Sequence, residues 1–452
     1  MKLLEFTDNT IHNNPSEWNG CEGELLFLSS QTIANLKDSK GGNILVFPHS
    51  FRDCDDEVGK QRIFTLDCRF KDGQSVINSI STGNLMGFVG LNGVEISISS
   101  RFSSGCKEDF FLQYMLQRVM SVNVFNLKYV VNRETDAFDL LAFMFPEFLK
   151  RALRQGVFRK YVRHAYNDAN VRGPIDVARH LRKNVPFNYR IAYTTREFDA
   201  DNSVMQLIRH TIAYISGKKY GHHILHNDRD TDGLVRQIFA LTPTYNIRCR
   251  EQVIKENLRP VNHPYYTEYT SLQKLCLQIL RHDRVRYGGS KDKVYGVLFD
   301  GAWLWEEYLA CVLKDLNFEH PRNKEGKGRI NLCENGGFPR YPDFYKGETN
   351  SIILDAKYKR QIDTRDDVNQ ILTYMYRLKG RSCAFILPMD GKAYDDKKWT
   401  FMGYGGDMRI IRVNIPPQIG TDFERFANDM KASEETIINS IKQLLENNDT
   451  QL

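Results

Sequence analysis

The sequence has no long hydrophobic run. No stretch approaches the ~18 consecutive apolar residues that a transmembrane helix needs. Glu5 and Asp8 place charges too early in the chain for a secretory signal. We therefore expect a soluble, cytoplasmic chain rather than a membrane or secreted protein.

Cysteine is present, but not in the patterns that bind zinc or build a disulfide framework. The nine cysteines are an odd number, and no two of them have CxxC spacing. This disfavours a disulfide-stapled fold and a four-thiolate zinc site, so free thiols are expected. The cluster of His222, His223 and His226 has no cysteine or carboxylate at ligand spacing, which favours a loop or surface cluster over a metal site.

The chain also lacks a GxxxxGK[ST] loop, an internal repeat and any low-complexity stretch. The first absence excludes a P-loop motor, and the absence of repeats excludes a solenoid. What is present is a globular composition, with 452 residues, 41% hydrophobic and 26% charged. Such a chain has enough apolar side chains for more than one core, so we expect several domains.

Three regions differ in their hydrophobic pattern. Residues 1–125 predict a β-rich domain, with strands in GELLFLS, GNILVFPH, QRIFTLDCRF and GVEISISSRF. Residues 126–265 predict a mainly helical region, with Pro146 as a kink or boundary in its first helix. Residues 266–452 alternate helices with strands, which is typical of an α/β core. The fold class is therefore expected to be α+β overall.

Positive charge is concentrated in one segment. The chain carries a formal net charge of +6, but residues 150–196 alone hold twelve Lys or Arg and only two acidic residues. A local excess of this size is the electrostatic footprint expected for contact with a phosphate backbone. Contact with an acidic partner protein and a plain solvated surface are the alternative interpretations.

The last third of the chain contains the candidate chemistry. A helix at 304–316 precedes two predicted strands, 338–345 and 351–358, which a short turn joins. A helix at 365–378 and a strand at 382–387 follow. This order predicts a hairpin and a crossover in one α/β core.

Two carboxylates and a lysine are predicted to meet on this hairpin. Asp355 and Lys357 are two residues apart on a strand, so their side chains share a face, and the turn brings Asp343 beside them. Paired carboxylates suit Mg²⁺, and Mn²⁺ can substitute. The ammonium can orient a water or stabilise charge on a phosphate, so the set fits metal-dependent phosphodiester hydrolysis. Each residue taken alone also fits a plain structural role, and only their joint order favours a catalytic site.

The spacing reads PD-x11-DxK, which resembles the PD-(D/E)xK nuclease superfamily. The resemblance implies a restriction-endonuclease-like core for residues 266–452. It also implies that Glu306, on the preceding helix, completes a metal site with Asp343 and Asp355.

The helix after the hairpin contributes to the same resemblance. Gln370 and Tyr374 form a QxxxY pair whose side chains lie on one helical face. A pair of this type lies next to the lysine strand in the RecB-like branch of the superfamily, so Gln370 is expected at the active site and Tyr374 close to DNA. Lys359 shares a face with Lys357 and is predicted to face DNA or solvent.

Further segments narrow the resemblance. They are GFVGLNGVEI at 87–96 with Arg101-Phe102, RGPID at 172–176 with Arg179 and Arg182, EFDADN at 197–202, LWEEYL, PDF, ILDAKYK and DVNQILTYMY. Together they are similar to McrC, the nuclease subunit of the McrBC modification-dependent restriction system, LlaJI-like relatives included. The first 75 or so residues are longer than a compact McrC needs.

The resemblance to McrC implies a partner and a substrate. The partner is a hexameric, McrB-like AAA+ GTPase, on which the chain docks and whose nucleotide hydrolysis it stimulates. The substrate is modified foreign double-stranded DNA, which the chain cleaves as an endonuclease. The basic segment then either contacts DNA, through Arg172, Arg179, Arg182 and Lys183, or docks on the ring.

Two other functions stay open from the sequence. One is a stand-alone PD-(D/E)xK nuclease in defence or repair, and the other is a non-catalytic, DNA-binding regulator of a motor ring. Because a double-strand break needs two active sites or two passes, transient pairing of nuclease domains is also an expectation.

Overall fold

The structure is a computed structural model, and its contacts divide the chain into two compact units. Unit 1 joins Met1–Ala137 to Val285–Leu452, and unit 2 is Phe138–Arg284. The residues described are 2–38, 43–48, 57–71, 74–103, 109–120, 139–218, 221–226, 228–286, 294–321, 328–347, 351–391, 397–403, 406–418 and 423–449. Within these ranges, no helix combines the length and apolarity needed to cross a membrane.

The amino-terminal part of unit 1 is rich in strands. Its elements are β1 (Lys2–Thr7), β2 (Ile11–His12), α1 (Glu22–Ser30), α2 (Ile33–Asp38), β3 (Asn43–Phe47), α3 (Glu57–Lys60), β4 (Phe64–Lys71), β5 (Gln74–Thr82), β6 (Leu85–Leu91), β7 (Val94–Ser99) and α4 (Phe110–Met120). Three of the four predicted strand segments coincide with strands. GNILVFPH corresponds to β3, QRIFTLDCRF to β4 and GVEISISSRF to β7.

The fourth segment, GELLFLS, was wrongly predicted as a strand and lies in α1. Leu25 and Leu28, three residues apart, are fully buried, whereas Leu26 and Phe27 between them are 43% and 46% exposed. This is the spacing of one helical face, because residues three and four apart lie above one another on a helix. Because Leu25, Leu26, Phe27 and Leu28 are all apolar, the sequence does not show which of them form the buried helical face.

Unit 2 is mainly helical but contains an unpredicted hairpin. Its elements are α5 (Asp139–Arg154), β8 (Lys160–Asp168), α6 (Val177–Asn184), β9 (Ile191–Asp199), α7 (Ser203–Ser216), α8 (Gly221–His226), α9 (Arg229–Leu241), α10 (Arg250–Glu256) and α11 (Glu268–Arg286). β8 and β9 pair antiparallel along their whole length. Most of their side chains are half-buried or exposed and many are polar, so the apolar alternation that signals a strand is weak.

The histidine cluster of unit 2 lies on α8. His226 Nδ1 is 2.6 Å from Asp232 Oδ1, and the rings of His222 and His226 are 5.1 Å apart. Among the described residues, no group of three or more His, Cys, Asp or Glu side chains could hold a metal ion.

The carboxy-terminal part of unit 1 alternates helices and strands. Its elements are β10 (Tyr295–Asp300), α12 (Gly301–Val312), β11 (Ile330–Asn331), β12 (Pro339–Arg340), β13 (Phe344–Lys346), β14 (Ile352–Ala356), α13 (Asp366–Arg377), β15 (Ser382–Asp390), β16 (Lys398–Thr400), β17 (Asp407–Ile415) and α14 (Phe423–Asp449). The fold is therefore α+β overall, as the sequence predicted.

Unit 1 contains two five-stranded sheets, beside a three-stranded sheet β2-β5-β4 and the pair β11-β12. The first has the order β1-β7-β6-β10-β3, so β10 lies between strands that come from the amino-terminal part. β6 and β10 pair antiparallel and approach closely at Gly87. A Cβ at that position would lie 2.2 Å from the carbonyl oxygen of Val297, so the approach requires glycine. The sequence prediction of separate regions at 1–125 and 266–452 differs from this arrangement, since one sheet takes strands from both.

The second sheet positions the candidate residues. Its order is β13-β14-β15-β17-β16, with β13 antiparallel to β14 and β14 parallel to β15 across the crossover helix α13. The single strand predicted at 338–345 is instead split into β12 and β13. Pro342 lies between them, and a proline has no N–H with which to continue a ladder.

Candidate active site

Asp343 and Asp355 meet at one end of β13 and β14. Asp355 is the fourth residue of β14, a fully buried strand, and its side chain is 1% exposed. Asp343 lies in the bend directly before β13, and its Oδ2 accepts a hydrogen bond of 2.7 Å from the backbone N–H of Ala356. The hairpin therefore brings two carboxylates together although 11 residues separate them.

Lys357 faces the same site from the residue that follows β14. Its Nζ lies 2.8 Å from Asp355 Oδ2 and donates a 2.8 Å hydrogen bond to Gln370 Oε1. Its backbone N–H still donates to Ile386 O at 3.0 Å, which extends the parallel pairing with β15 by one step. Strand pairing and a glutamine on α13 together fix the ammonium beside the carboxylate.

Gln370 is oriented in turn by Tyr374, one helical turn further along α13. Gln370 Nε2 donates to the Tyr374 hydroxyl at 2.8 Å, and that hydroxyl donates to Tyr341 O at 3.1 Å. Tyr374 is 2% exposed, so it supports the glutamine from the interior. The structure thus places Tyr374 behind the site, in a different position from the DNA-facing one predicted for it.

The charges of the site are strongly coupled. Burial, and then the charge of Asp343, raise the pKa of Asp355 to about 7. Burial also raises the pKa of Asp343. Burial on its own would lower the pKa of Lys357, but Asp355 and Asp343 outweigh it and raise that pKa. The lysine therefore stays charged, and burial makes the two carboxylates easier to protonate than a free aspartate despite the nearby ammonium.

These carboxylates fit a divalent cation. Asp355 is buried, and neither of its oxygens makes a hydrogen bond of ordinary geometry within the described part of the chain. Buried charges are normally paired or bound to metal. Asp355 therefore offers oxygens to a cation beside the carboxylate of Asp343, and carboxylates are the hard-oxygen ligands that Mg²⁺ and Mn²⁺ prefer.

The structure does not assemble the predicted three-carboxylate set. Glu306 is half-buried on α12. No described group of three His, Cys, Asp or Glu side chains, Glu306 included, converges as a metal site. The role of Glu306 as a third ligand therefore stays a prediction.

The neighbouring Glu307 reaches the site indirectly. His320 Nδ1 donates to the backbone oxygen of Asp343 at 2.7 Å, and His320 Nε2 is 3.7 Å from Glu307 Oε1. The His320 ring also stacks on Phe344, with centroids 4.6 Å apart. Sequence reasoning missed His320, which lies 23 residues before Asp343 in a segment with no motif.

Asp367 is the second residue that sequence reasoning missed. Its carboxylate pairs with Lys359 and lies 3.8 Å from Lys357 Nζ. Lys359, predicted to face DNA or solvent, is thus held against α13 with its side chain 34% exposed. Asp367 lies three residues before Gln370 and so shares its helical face, and this spacing could have indicated Asp367 from the sequence.

The predicted DNA-contacting residues of unit 2 divide into two kinds. Arg172, Arg182 and Lys183 are exposed. Arg179 instead donates to the backbone oxygens of Tyr166 and Tyr193, at 2.9 and 2.5 Å, and so ties α6 to both strands of the hairpin.

Apolar side chains are exposed on the same surface. Val177, Leu181, Val185, Phe187 and Tyr189 are all at least 58% exposed on or just after α6. We call this set, with Arg182 and Lys183, the α6 surface. Exposed apolar and aromatic side chains interleaved with basic ones are typical of a protein-binding surface.

Solved structures contain chains that are similar to this one. The chain is similar, at a TM-score of 0.49 and 15% identity, to a chain of a Thermococcus gammatolerans assembly of McrB AAA+ hexamers with bound McrC, covering 95% of this chain and 99% of that one. It is also similar, at a TM-score of 0.34 and 14% identity, to a chain of the Thermococcus gammatolerans McrBC complex, covering 71% and 89%. No curated protein sequence matches the chain.

The family model that matches is described as the McrBC 5-methylcytosine restriction system component. It covers residues 80–388, which is more than half of the chain and includes the hairpin, α12 and α13. The match agrees with the McrC resemblance of the sequence motifs. The chain therefore belongs to the McrBC 5-methylcytosine restriction system component family.

Proposed function

We propose that the chain is the metal-dependent DNA endonuclease of an McrBC-type restriction system. The observation that carries the proposal is the buried pair Asp343 and Asp355 with the ammonium of Lys357 at 2.8 Å. Family membership supports it, since the matched family belongs to a DNA restriction system. Hydrolysis of a phosphodiester needs both a cation to bind the phosphate and a group that stabilises its transition-state charge.

Each residue of the site has a part in this chemistry. Asp343 and Asp355 would hold Mg²⁺, or Mn²⁺ in its place, and the cation would supply the positive charge that polarises a phosphate. Lys357 directs its ammonium at the same point and stabilises the negative charge that builds on the phosphate oxygens. Gln370 accepts from Lys357 and keeps it in place, and Tyr374 keeps Gln370 in place.

We also propose that the chain works with a McrB-like AAA+ GTPase, stimulates its nucleotide hydrolysis, and docks on it through the α6 surface. The exposed apolar side chains favour a protein partner over DNA, because a phosphate backbone offers them nothing to bury against. The prediction that Arg172, Arg182 and Lys183 contact DNA is the competing one, and pairing of nuclease domains for double-strand cleavage remains a further prediction.

The catalytic proposal is tested by cleavage of a supercoiled, modified plasmid. The full chain is assayed with the AAA+ protein encoded beside it, with GTP and with Mg²⁺, Mn²⁺ or EDTA. We expect cutting that needs metal, the partner and Asp355. Asp355→Ala should be inactive, while Asp315→Ala, at an exposed aspartate of the same unit, should cut like the wild type.

Two results would replace the proposal. Cutting by the isolated chain that needs only metal and Asp355 would establish a stand-alone nuclease. Unchanged activity of the whole assembly after both Asp355→Ala and Lys357→Ala would establish a non-catalytic regulator.

The docking proposal is tested by Leu181→Ser, because Leu181 is 58% exposed on the α6 surface and carries no charge. We expect the variant to lose most of its stimulation of the partner's nucleotide hydrolysis while its affinity for DNA stays unchanged. Leu258→Ser is the matched control, since Leu258 is 46% exposed elsewhere in unit 2. Normal stimulation by Leu181→Ser, with loss of DNA binding by Arg182→Ala, would assign the surface to DNA.

A further inference from the structure

Tyr358, the residue after Lys357, points into a buried polar pocket of unit 1. It is 5% exposed, and its hydroxyl lies 2.7 Å from Ser100 Oγ, which is fully buried just after β7. The hydroxyl also donates to Met86 Sδ at 3.3 Å. The side chain that follows the lysine is therefore anchored in the first sheet, although the lysine itself belongs to the second.

An ion pair closes the pocket over the tyrosine ring. The Arg101 guanidinium lies 4.9 Å from the ring centroid of Tyr358. Asp8 fixes this guanidinium, with Arg101 Nη2 at 2.8 Å from Asp8 Oδ2 and the Arg101 backbone N–H at 2.5 Å from Asp8 Oδ1. Asp8 is fully buried, and Asn84 Oδ1 accepts a further bond from Arg101. A buried pair with several hydrogen bonds of this kind is rigid.

The ring has little room to move. Phe102 packs against it edge-on, with centroids 5.2 Å apart. Gly301, the first residue of α12, lies so close that a Cβ there would come within 2.7 Å of Tyr358 Cε1. Two elements, the segment after β7 and the start of α12, thus enclose Tyr358.

The site needs this anchor because the sheet ends at Lys357. Its N–H is the last to bond to β15, and β14 itself ends at Ala356. Strand pairing therefore fixes the lysine from its amino-terminal side only. The next residue toward the carboxyl terminus whose side chain is buried is Tyr358.

We infer that Tyr358, held by Ser100 and Arg101, is a positioning residue that fixes the backbone of Lys357 so that its ammonium meets Asp355. The inference rests on the proposed nuclease function for its kinetic consequence, and on the geometry alone for its structural one. It gives a role to part of the first 75 residues, because Asp8 holds Arg101 in place. A small displacement of a catalytic group is costly, since about 1 Å can lower a rate on the order of a hundredfold.

The experiment uses the full chain with metal and its AAA+ partner. Tyr358→Phe and Ser100→Ala each remove the buried hydroxyl contact and leave the ring pocket filled. We expect kcat to fall roughly ten- to a hundredfold while KM for DNA stays unchanged. Both changes remove the contact between Tyr358 and Ser100, and each removes one further contact, with Met86 Sδ or with the Phe102 N–H. The effects in the double variant should therefore be less than additive. Tyr269→Phe is the control, since its buried hydroxyl donates to Gly156 O in unit 2.

Hydrogen exchange of the metal-free chain supplies a readout that needs no activity. Exchange at Lys357 and its neighbours should be about tenfold faster in Tyr358→Phe and unchanged in Tyr269→Phe, because one buried hydrogen bond is lost. Unchanged exchange there in Tyr358→Phe would overturn the inference. If the wild type cuts, Asp355→Ala does not, and Tyr358→Phe cuts at the wild-type rate, the inference fails while the proposed function stands. If no mixture cuts DNA, the proposed function fails and exchange alone decides the positioning role.

Discussion

Lys357 occupies a place that suits only a compact cation. Its Nζ fits between Asp355 Oδ2 and Gln370 Oε1 at 2.8 Å each, with Asp367 Oδ1 at 3.8 Å. A planar guanidinium is larger and fixes its donors in a fork, so arginine would not reproduce these contacts. The residue type is therefore dictated by local geometry as much as by charge.

Replacing that cation should separate catalysis from folding. Lys357→Met keeps the length of the side chain but removes its charge, so we expect DNA cleavage to fall at least about a hundredfold. Single-turnover cleavage rates measure the effect, with Lys314→Met, an exposed position of unit 1, as the control. Cleavage by Lys357→Met within a few fold of the wild type would remove Lys357 from the catalytic set.

His210 in unit 2 is a buried imidazole between positive charges. It is 3% exposed, and its Nε2 has no hydrogen-bond partner in the part of the chain that the structure describes. Burial, and then the charges of Arg250 and Arg209, lower the pKa of His210 to about 4. Between about pH 4 and pH 6.5, the folded unit therefore keeps this histidine neutral, whereas a free histidine would be mostly charged.

This shift predicts a loss of stability on acidification. An unfolded histidine has a pKa of about 6.5, so between that pH and about 4 the unfolded chain binds a proton that the folded chain does not. The contribution of His210 is complete above pH 6.5 and is lost as the pH falls to 4, and the loss between pH 7 and pH 5 is on the order of 2 kcal/mol. The free energy of unfolding of unit 2 at pH 7 and pH 5 measures this loss, with hydrogen exchange in α7 as the probe of urea unfolding. His210→Leu should remove the dependence, and His222→Gln should keep it.

The site residues that could be predicted are those whose neighbours lie on one element. Asp355 with Lys357, and Gln370 with Tyr374, share a strand face and a helix face, so spacing alone relates them. His320 and Tyr358 reach their partners across elements that are far apart in sequence. No spacing rule contains that information, because it depends on how the sheets pack.

The hairpin of β8 and β9 shows the same limit for whole elements. Its strands are 22 residues apart and mostly half-buried, with many polar side chains, so neither a tight turn nor an apolar alternation marks them in the sequence. The hairpin is held instead by its full-length pairing and by α6, which Arg179 ties to it. At least one basic residue of the segment 150–196, Arg179, therefore supports the fold.

Arg179→Ala should therefore destabilise unit 2. It leaves the backbone oxygens of Tyr166 and Tyr193 without their charged donor, and we expect a loss of roughly 2–4 kcal/mol in the free energy of unfolding. Arg182→Ala, at an exposed position of the same helix, should change it by less than about 0.5 kcal/mol. Urea unfolding of the two variants measures the contrast, and equal effects would show that the carbonyl contacts contribute nothing.

The two units differ in how the chain builds them. Unit 2 is one continuous segment, whereas unit 1 uses both ends of the chain, and its first sheet places β10 between β6 and β3. The residue that follows Lys357, Tyr358, reaches this part of the chain through the contact of its hydroxyl with Ser100. The sequence pattern suggested a self-contained carboxy-terminal domain because local periodicity cannot show which distant strands pair.

Fragments of the chain should differ in whether they fold by themselves, according to whether they hold a complete unit. Residues 266–452 alone leave β10 without its partners on both sides and leave its buried residues in water, so we expect an aggregated or unfolded product. Residues 138–284 alone should unfold cooperatively, because their core is formed within one segment. Far-UV circular dichroism during urea unfolding tests both, and co-expression of residues 1–137 with 285–452 should recover a soluble complex. Cooperative unfolding of 266–452 by itself would mean that the second sheet folds without the first, and the link from Asp8 to Lys357 would then not be required for the fold of the site.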